Sequence, residues 1–88
     1  MRRACKVDIT QAGIVKALRE AGATVQDLSA VGRGVPDLLV GYNDVNYLVE
    51  CKSPGGKLTP DQRVWHSKWN GRAWIVYSAT EALRIIKP

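Results

Sequence analysis

Asp37-Leu38-Leu39-Val40-Gly41-Tyr42, then Asn43-Asp44-Val45-Asn46, then Tyr47-Leu48-Val49-Glu50-Cys51-Lys52: two apolar runs enclose a polar tetrapeptide. Each run is short and rich in Leu, Val and Tyr, as strands are, and the tetrapeptide reads as the turn of a hairpin. With that turn centred between Asp44 and Val45, Tyr42 pairs with Tyr47 and Asp37 lies opposite Lys52. Asp37 and Glu50 then become diagonal neighbours on one face, roughly 7–8 Å apart at Cα. Side chains alternate along a strand, so Glu50 and Lys52 share a face and Cys51 points to the other.

Upstream of the hairpin, Gly32-Arg33-Gly34-Val35-Pro36 is a loop whose proline leads into extended chain. Before it, Ile14, Ala17, Leu18 and Ala21 recur at helical spacing within a segment from about Asp8 to Ala21. Asp8 or Thr10 is its expected N-cap and Gly22 its stop. A weak strand is expected at about Val25–Ser29.

Downstream, Ser53–Leu58 is a second Gly/Pro loop. Thr59-Pro60-Asp61-Gln62 is a strong helix start, with Thr as N-cap, Pro at the first helical position and Gln closing a capping box. That helix is expected to reach about Asn70, with Trp65 and Trp69 packing on the sheet. Ala73–Tyr77 reads as a strand, and Ser78-x-x-Glu81 opens a short helix to about Ile85. The sum is an α/β fold, a small mixed sheet flanked by helices.

The chain has 88 residues, the size of one domain spanning 1–88. Hydrophobic residues at 45% and charged residues at 24% exclude a disordered or collagen-like chain. Thirteen Lys and Arg against eight Asp and Glu give a net charge of +5, which favours a polyanion such as nucleic acid, or an acidic membrane. No stretch approaches the roughly 20 apolar residues of a membrane span. No apolar segment follows Met1-Arg2-Arg3, so no secretory signal is expected. Cys5, Cys51 and His66 have neither disulfide-scaffold nor zinc-site spacing. A reduced, cytoplasmic location is expected, in a bacterium or a phage-infected host.

Asp37, Glu50 and Lys52 carry the chemical argument. Glu-x-Lys on a strand is common and mostly serves solvation. Here, however, the strands are apolar, and acids in buried strands need a reason. Two carboxylates leaning together suit a hard cation such as Mg²⁺ or Mn²⁺. A lysine beside that cation can orient water and offset charge developing on phosphorus. Phosphodiester hydrolysis fits this set, with the basic surface holding the polyanion.

Gly34-x-Pro36-Asp37 followed by Glu50-x-Lys52 resembles the PD-(D/E)XK nuclease signature. The longer run is similar to the VRR-NUC branch, the virus-type replication-repair nucleases. It comprises Arg33-Gly34-x-Pro36-Asp37-Leu38, Glu50-x-Lys52-Ser53-Pro54-x-Gly56-x-Leu58-Thr59-Pro60-x-Gln62, and Gly71. The resemblance covers nearly the whole chain.

It implies a restriction-endonuclease-like αβββαβ core. It implies Mg²⁺ or Mn²⁺ held by Asp37, Glu50 and the backbone carbonyl of Cys51, with Lys52 assisting water and Gln62 in the site. It also implies a homodimeric endonuclease acting on duplex or branched DNA, four-way junctions included, in replication and repair. No small-molecule cofactor is implied. The family's usual first-helix Glu is replaced by Gln11, which points to a single cation, with Asp8 a partial substitute. Arg33, Lys57, Arg63 and Lys68 flank the motif and are candidate phosphate contacts. Arg2, Arg3 and Lys6 are candidates for an N-terminal arm on DNA. A non-catalytic nucleic-acid-binding module keeping the same fold is the alternative reading.

Overall fold

The computed structural model describes residues 11–88. The expectations placed on Asp8, Thr10 and the Arg2, Arg3 and Lys6 arm therefore lie outside the described residues. The elements run α1 (Gln11–Glu20), β1 (Thr24–Asp27), β2 (Leu38–Tyr42), β3 (Val45–Cys51), α2 (Pro60–Lys68), β4 (Trp74–Val76) and α3 (Ala79–Ile86). The strands form one sheet in the order β1-β2-β3-β4. The first two pairings are antiparallel and β3 with β4 is parallel, so the sheet is mixed.

One face of the sheet holds the core. Val25, Leu38, Val40, Val49 and Val76 are buried there against Ile14 and Leu18 of α1 and Ala82 and Ile86 of α3. Helix α1 ends because Gly22 adopts φ +101, a conformation that costs glycine nothing. Ala23 N–H then donates to Leu18 O and Gly22 N–H to Arg19 O, a Schellman closure that satisfies the last carbonyls. Ser78 caps α3 by accepting from Glu81 N–H. The Glu81 carboxylate accepts from Tyr77 N–H, one residue short of the full reciprocal box.

The hairpin is tighter than the sequence reading placed it. Asn43 and Asp44 both take positive φ, 53 and 67, and the turn has two residues rather than four. These are turn residues that tolerate the left-handed region, and a two-residue turn of this kind matches strand twist. Tyr42 therefore pairs with Val45, not Tyr47. The loop is still even, so faces are preserved, but the register slides by two residues. Continued one step past the Leu38–Val49 pair, it sets Asp37 against Glu50 instead of Lys52.

Helix α2 lies on the opposite face of the sheet, the one carrying Glu50. Its capping box is complete: Gln62 N–H donates to Thr59 Oγ1 (3.2 Å) and Thr59 N–H to Gln62 Oε1 (2.9 Å). None of its residues is buried. Trp65 and Trp69 stack on each other, with ring centroids 4.8 Å apart, and neither is among the residues packed against the core. Trp74 does pack against the core. Among the described residues no helix is long and apolar enough to cross a membrane.

Candidate active site

The site lies where the C-terminal end of β3 meets the entry to β2 and the first turn of α2. Glu50 is the buried acid of the described residues, 1% exposed in the middle of the sheet. Its Oε2 accepts from Gln62 Nε2 at 3.0 Å and lies 3.7 Å from Lys52 Nζ. Its Oε1 is buried with no hydrogen-bond partner among the described residues. Asp37 precedes β2 and accepts the Cys51 N–H through Oδ2 at 2.8 Å, tying the loop to the end of β3. Lys52 donates its own N–H to Val76 O, so β4 fixes the backbone that carries the lysine.

Burial first, then the neighbouring Asp37 carboxylate, push the Glu50 carboxyl up to about 7. Lys52 opposes the shift without cancelling it. A buried carboxylate with an orphan oxygen beside a second acid is short of positive charge. A divalent cation would supply it, and two carboxylates with a backbone carbonyl would suit a hard ion that keeps several waters. The Cys51 thiol is pushed up to about 12, by burial and then by Asp37 and Glu50, so it stays protonated and offers no thiolate. Among the described residues no group of three His, Cys, Asp or Glu side chains is gathered for a metal. The cation's remaining ligands would be backbone oxygen and water.

The loop before Asp37 is locked to α2. A Cβ at Gly34, which has φ +83, would meet Asp61 O at 2.3 Å. Only glycine permits this close approach. Gly32, Arg33 and Gly34 all have positive φ, Arg33 at 56 despite its side chain. This left-handed triplet, strained at Arg33, sets Arg33 beside α2 and leads the chain towards Asp37.

Three successive residues of α2 address three places. Gln62 reaches Glu50. Asp61 lines a cavity of about 340 Å³ that includes Arg33 and Lys68. Arg63 lines another of about 630 Å³ that includes Lys57 and Tyr77. The four candidate phosphate contacts thus divide into two pairs, one in each cavity.

Gln11 bonds the segment next to Asp37, where Leu28 N–H donates to Asp37 O at 2.7 Å. Its Nε2 makes long bonds of 3.4 Å to Asp27 Oδ2 and Ser29 Oγ, at the margin of a cleft of about 660 Å³ between α1 and β1. That cleft includes none of Asp37, Glu50 or Lys52. Asp27 is held below the usual carboxylate range by the Ser29 backbone N–H and then its hydroxyl. This Asp27–Ser29 partner for the first helix escaped the sequence reading, although the Asp-x-Ser spacing is that of an Asx turn. His66 has its pKa lowered by burial, and its Nε2 is buried with no partner among the described residues. Its ring stands edge-on to Trp65.

The VRR-NUC domain model matches residues 3–80. The chain belongs to the VRR-NUC family. This is a nuclease family, so nucleic acid is the ligand such a domain binds, and the mixed sheet with helices on both faces is a small restriction-endonuclease-like fold. A search of curated proteins found no match. In this VRR-NUC domain Glu50 contacts Lys52 and Gln62 directly, and Asp37 joins them through the Cys51 N–H.

Proposed function

We propose that this VRR-NUC domain is a Mg²⁺- or Mn²⁺-dependent endodeoxyribonuclease that hydrolyses phosphodiester bonds in branched or structured DNA, and that it works as a homodimer in replication or repair. The carrying observation is the Glu50 carboxylate, fully buried beside Asp37 with one oxygen unpartnered among the described residues. A buried, half-satisfied carboxylate lowers the stability of a thin core, and a bound cation would offset that cost.

Asp37, Glu50 and the Cys51 carbonyl would hold the cation, which when bound polarises a phosphoryl oxygen and acidifies water. Lys52 Nζ, held beside Glu50 by charge, presents a donor at the edge of the site for an attacking water or a phosphate oxygen. Gln62 fixes the Glu50 rotamer while its other amide atom caps α2, so the helix and the carboxylate are positioned together. Arg33 with Lys68, and Lys57 with Arg63, provide phosphate contacts on either side. A two-fold dimer would present two such sites to two strands.

Labelled single strand, duplex, flap and four-way junction, each incubated with Mg²⁺ or Mn²⁺, test the activity. The expected result is metal-dependent cutting by wild type that Lys52→Ala loses while binding DNA. No cutting of any substrate by wild type overturns the reading. Among the described residues no third acid joins Asp37 and Glu50, and Gln11 turns to Asp27, which favours a second reading as a binding module without catalysis. That outcome would appear as DNA binding without cleavage.

A further inference from the structure

Trp65 of α2 and Trp69 at its C-cap lie outside the core. Trp65 covers one face of the Trp69 indole at an interplanar angle of 17°. The Gly71 backbone closes on its Nε1 edge, where a Cβ would come within 2.9 Å of that nitrogen. With a face and an edge taken, Trp69 still leaves 46% of its surface in solvent, and neighbouring Val64 leaves 52%. The two indoles and Val64 line the cavity of about 340 Å³ whose charged residues are Arg33, Lys68 and Asp61.

A rigid, preassembled aromatic face beside two cations against one acid has the composition of a nucleotide subsite: a flat surface for a base, with guanidinium and ammonium for its phosphates. The left-handed triplet that carries Arg33 also leads to Asp37. The cavity and the carboxylates are therefore joined through Gly34 and the first turn of α2.

We propose that this cavity is a subsite for one unpaired nucleobase, stacked on Trp69, with its flanking phosphates on Arg33 and Lys68. A base inside a paired duplex has no free face to offer, so the subsite selects nucleic acid with an unstacked nucleotide next to the attacked bond. The inference rests on the nuclease reading for its biological setting, but not on cleavage.

The test is binding in EDTA, read by fluorescence anisotropy. Two labelled duplexes of equal length are compared, one fully paired and one with a single extrahelical base. Wild type should prefer the second by about tenfold, the scale of one base–aromatic stack. Trp69→Ala should remove the preference while changing affinity for the paired duplex less than twofold. Trp69→Phe should keep most of it. Saturating wild type with the bulged duplex should also quench indole emission more than the paired duplex does, and this reading needs no variant. Equal quenching, a preference that survives Trp69→Ala, or equal weakening of both duplexes overturns the proposal. So does conversion of a dimer to a monomer by Trp69→Ala in light scattering, which would make the patch a protein interface. Preference without Mg²⁺-dependent cutting would sink the nuclease reading and leave the subsite. Cutting without preference would do the reverse.

Discussion

Helices α1 and α2 are similar in length and lie on opposite faces of one sheet, yet they are held in different ways. Helix α1 inserts Ile14 and Leu18, both essentially inaccessible, into the core. Helix α2 buries no residue. Its ties are a capping box, the Gln62–Glu50 hydrogen bond and the backbone approach of Gly34 to Asp61. The lesson is a division of labour across the sheet. The face towards α1 and α3 carries the stability, and the face towards α2 carries a buried acid and the basic cavities, at some cost to stability.

Substitutions can break this contrast. Ile14→Ala should cost about 2–5 kcal/mol, a large share of the stability of so small a domain. Val64→Ala on α2 should stay within about 0.5 kcal/mol. Paired denaturant titrations check both, and equal costs would end the division. Lys52→Ala should do the opposite of Ile14→Ala, lowering cleavage by about 10²–10³-fold. Its melting temperature should stay close to wild type, measured beside single-turnover rates.

Protonation sharpens the contrast further. Glu50 ordinarily titrates near 4.5 but near 7 in the fold, so folding favours its neutral form. Between those values the folded state holds a proton that the unfolded state has lost, and metal-free stability falls as pH rises through the window. The full shift corresponds to about 3 kcal/mol, and solvent screening brings the expected loss down to about 1–2 kcal/mol, at least several degrees in Tm for a domain this size. Mg²⁺ or Mn²⁺ at pH 8 should restore it, and Glu50→Gln should abolish both the slope and the restoration. Melts across pH 4–8, with and without cation, settle the sign. Thr59→Ala should cost about 1 kcal/mol through the lost N-cap. Its effect should fall mainly on α2, seen as faster amide exchange there and not in α1.

The element order was legible because caps and breakers are local: Thr59 with Gln62, Ser78 with Glu81, and Gly22 each state their role in a few residues. The hairpin register was not. Whether Asn43-Asp44-Val45-Asn46 turns over two residues or four depends on backbone torsions that Asn and Asp permit but do not dictate. Trp65 and Trp69, one turn apart, carry the same periodicity as a core stripe. Only the third dimension shows that they satisfy each other. The gathering of Asp37, Glu50, Lys52 and Gln62 was legible through the signature. The orphan oxygen of Glu50 and the Asp27–Ser29 partners of Gln11 depend on tertiary packing, which no spacing encodes.

The mixed pairing of β3 has a kinetic consequence. Its antiparallel partner is the next strand back across a two-residue turn, whereas its parallel partner waits beyond the whole crossover from Cys51 to Trp74. Short loops close before long ones, so β2 and β3 should zip first and β4 dock late. Asp37 and Glu50 would then be brought together on a nascent ribbon while water still solvates both. Gln62 and the strand that anchors Lys52 would arrive afterwards to shut the carboxylate in. Pulse-labelling hydrogen exchange should show the Tyr42–Val45 ribbon protected before the Lys52 amide. The reverse order would place the nucleus of folding in the crossover instead.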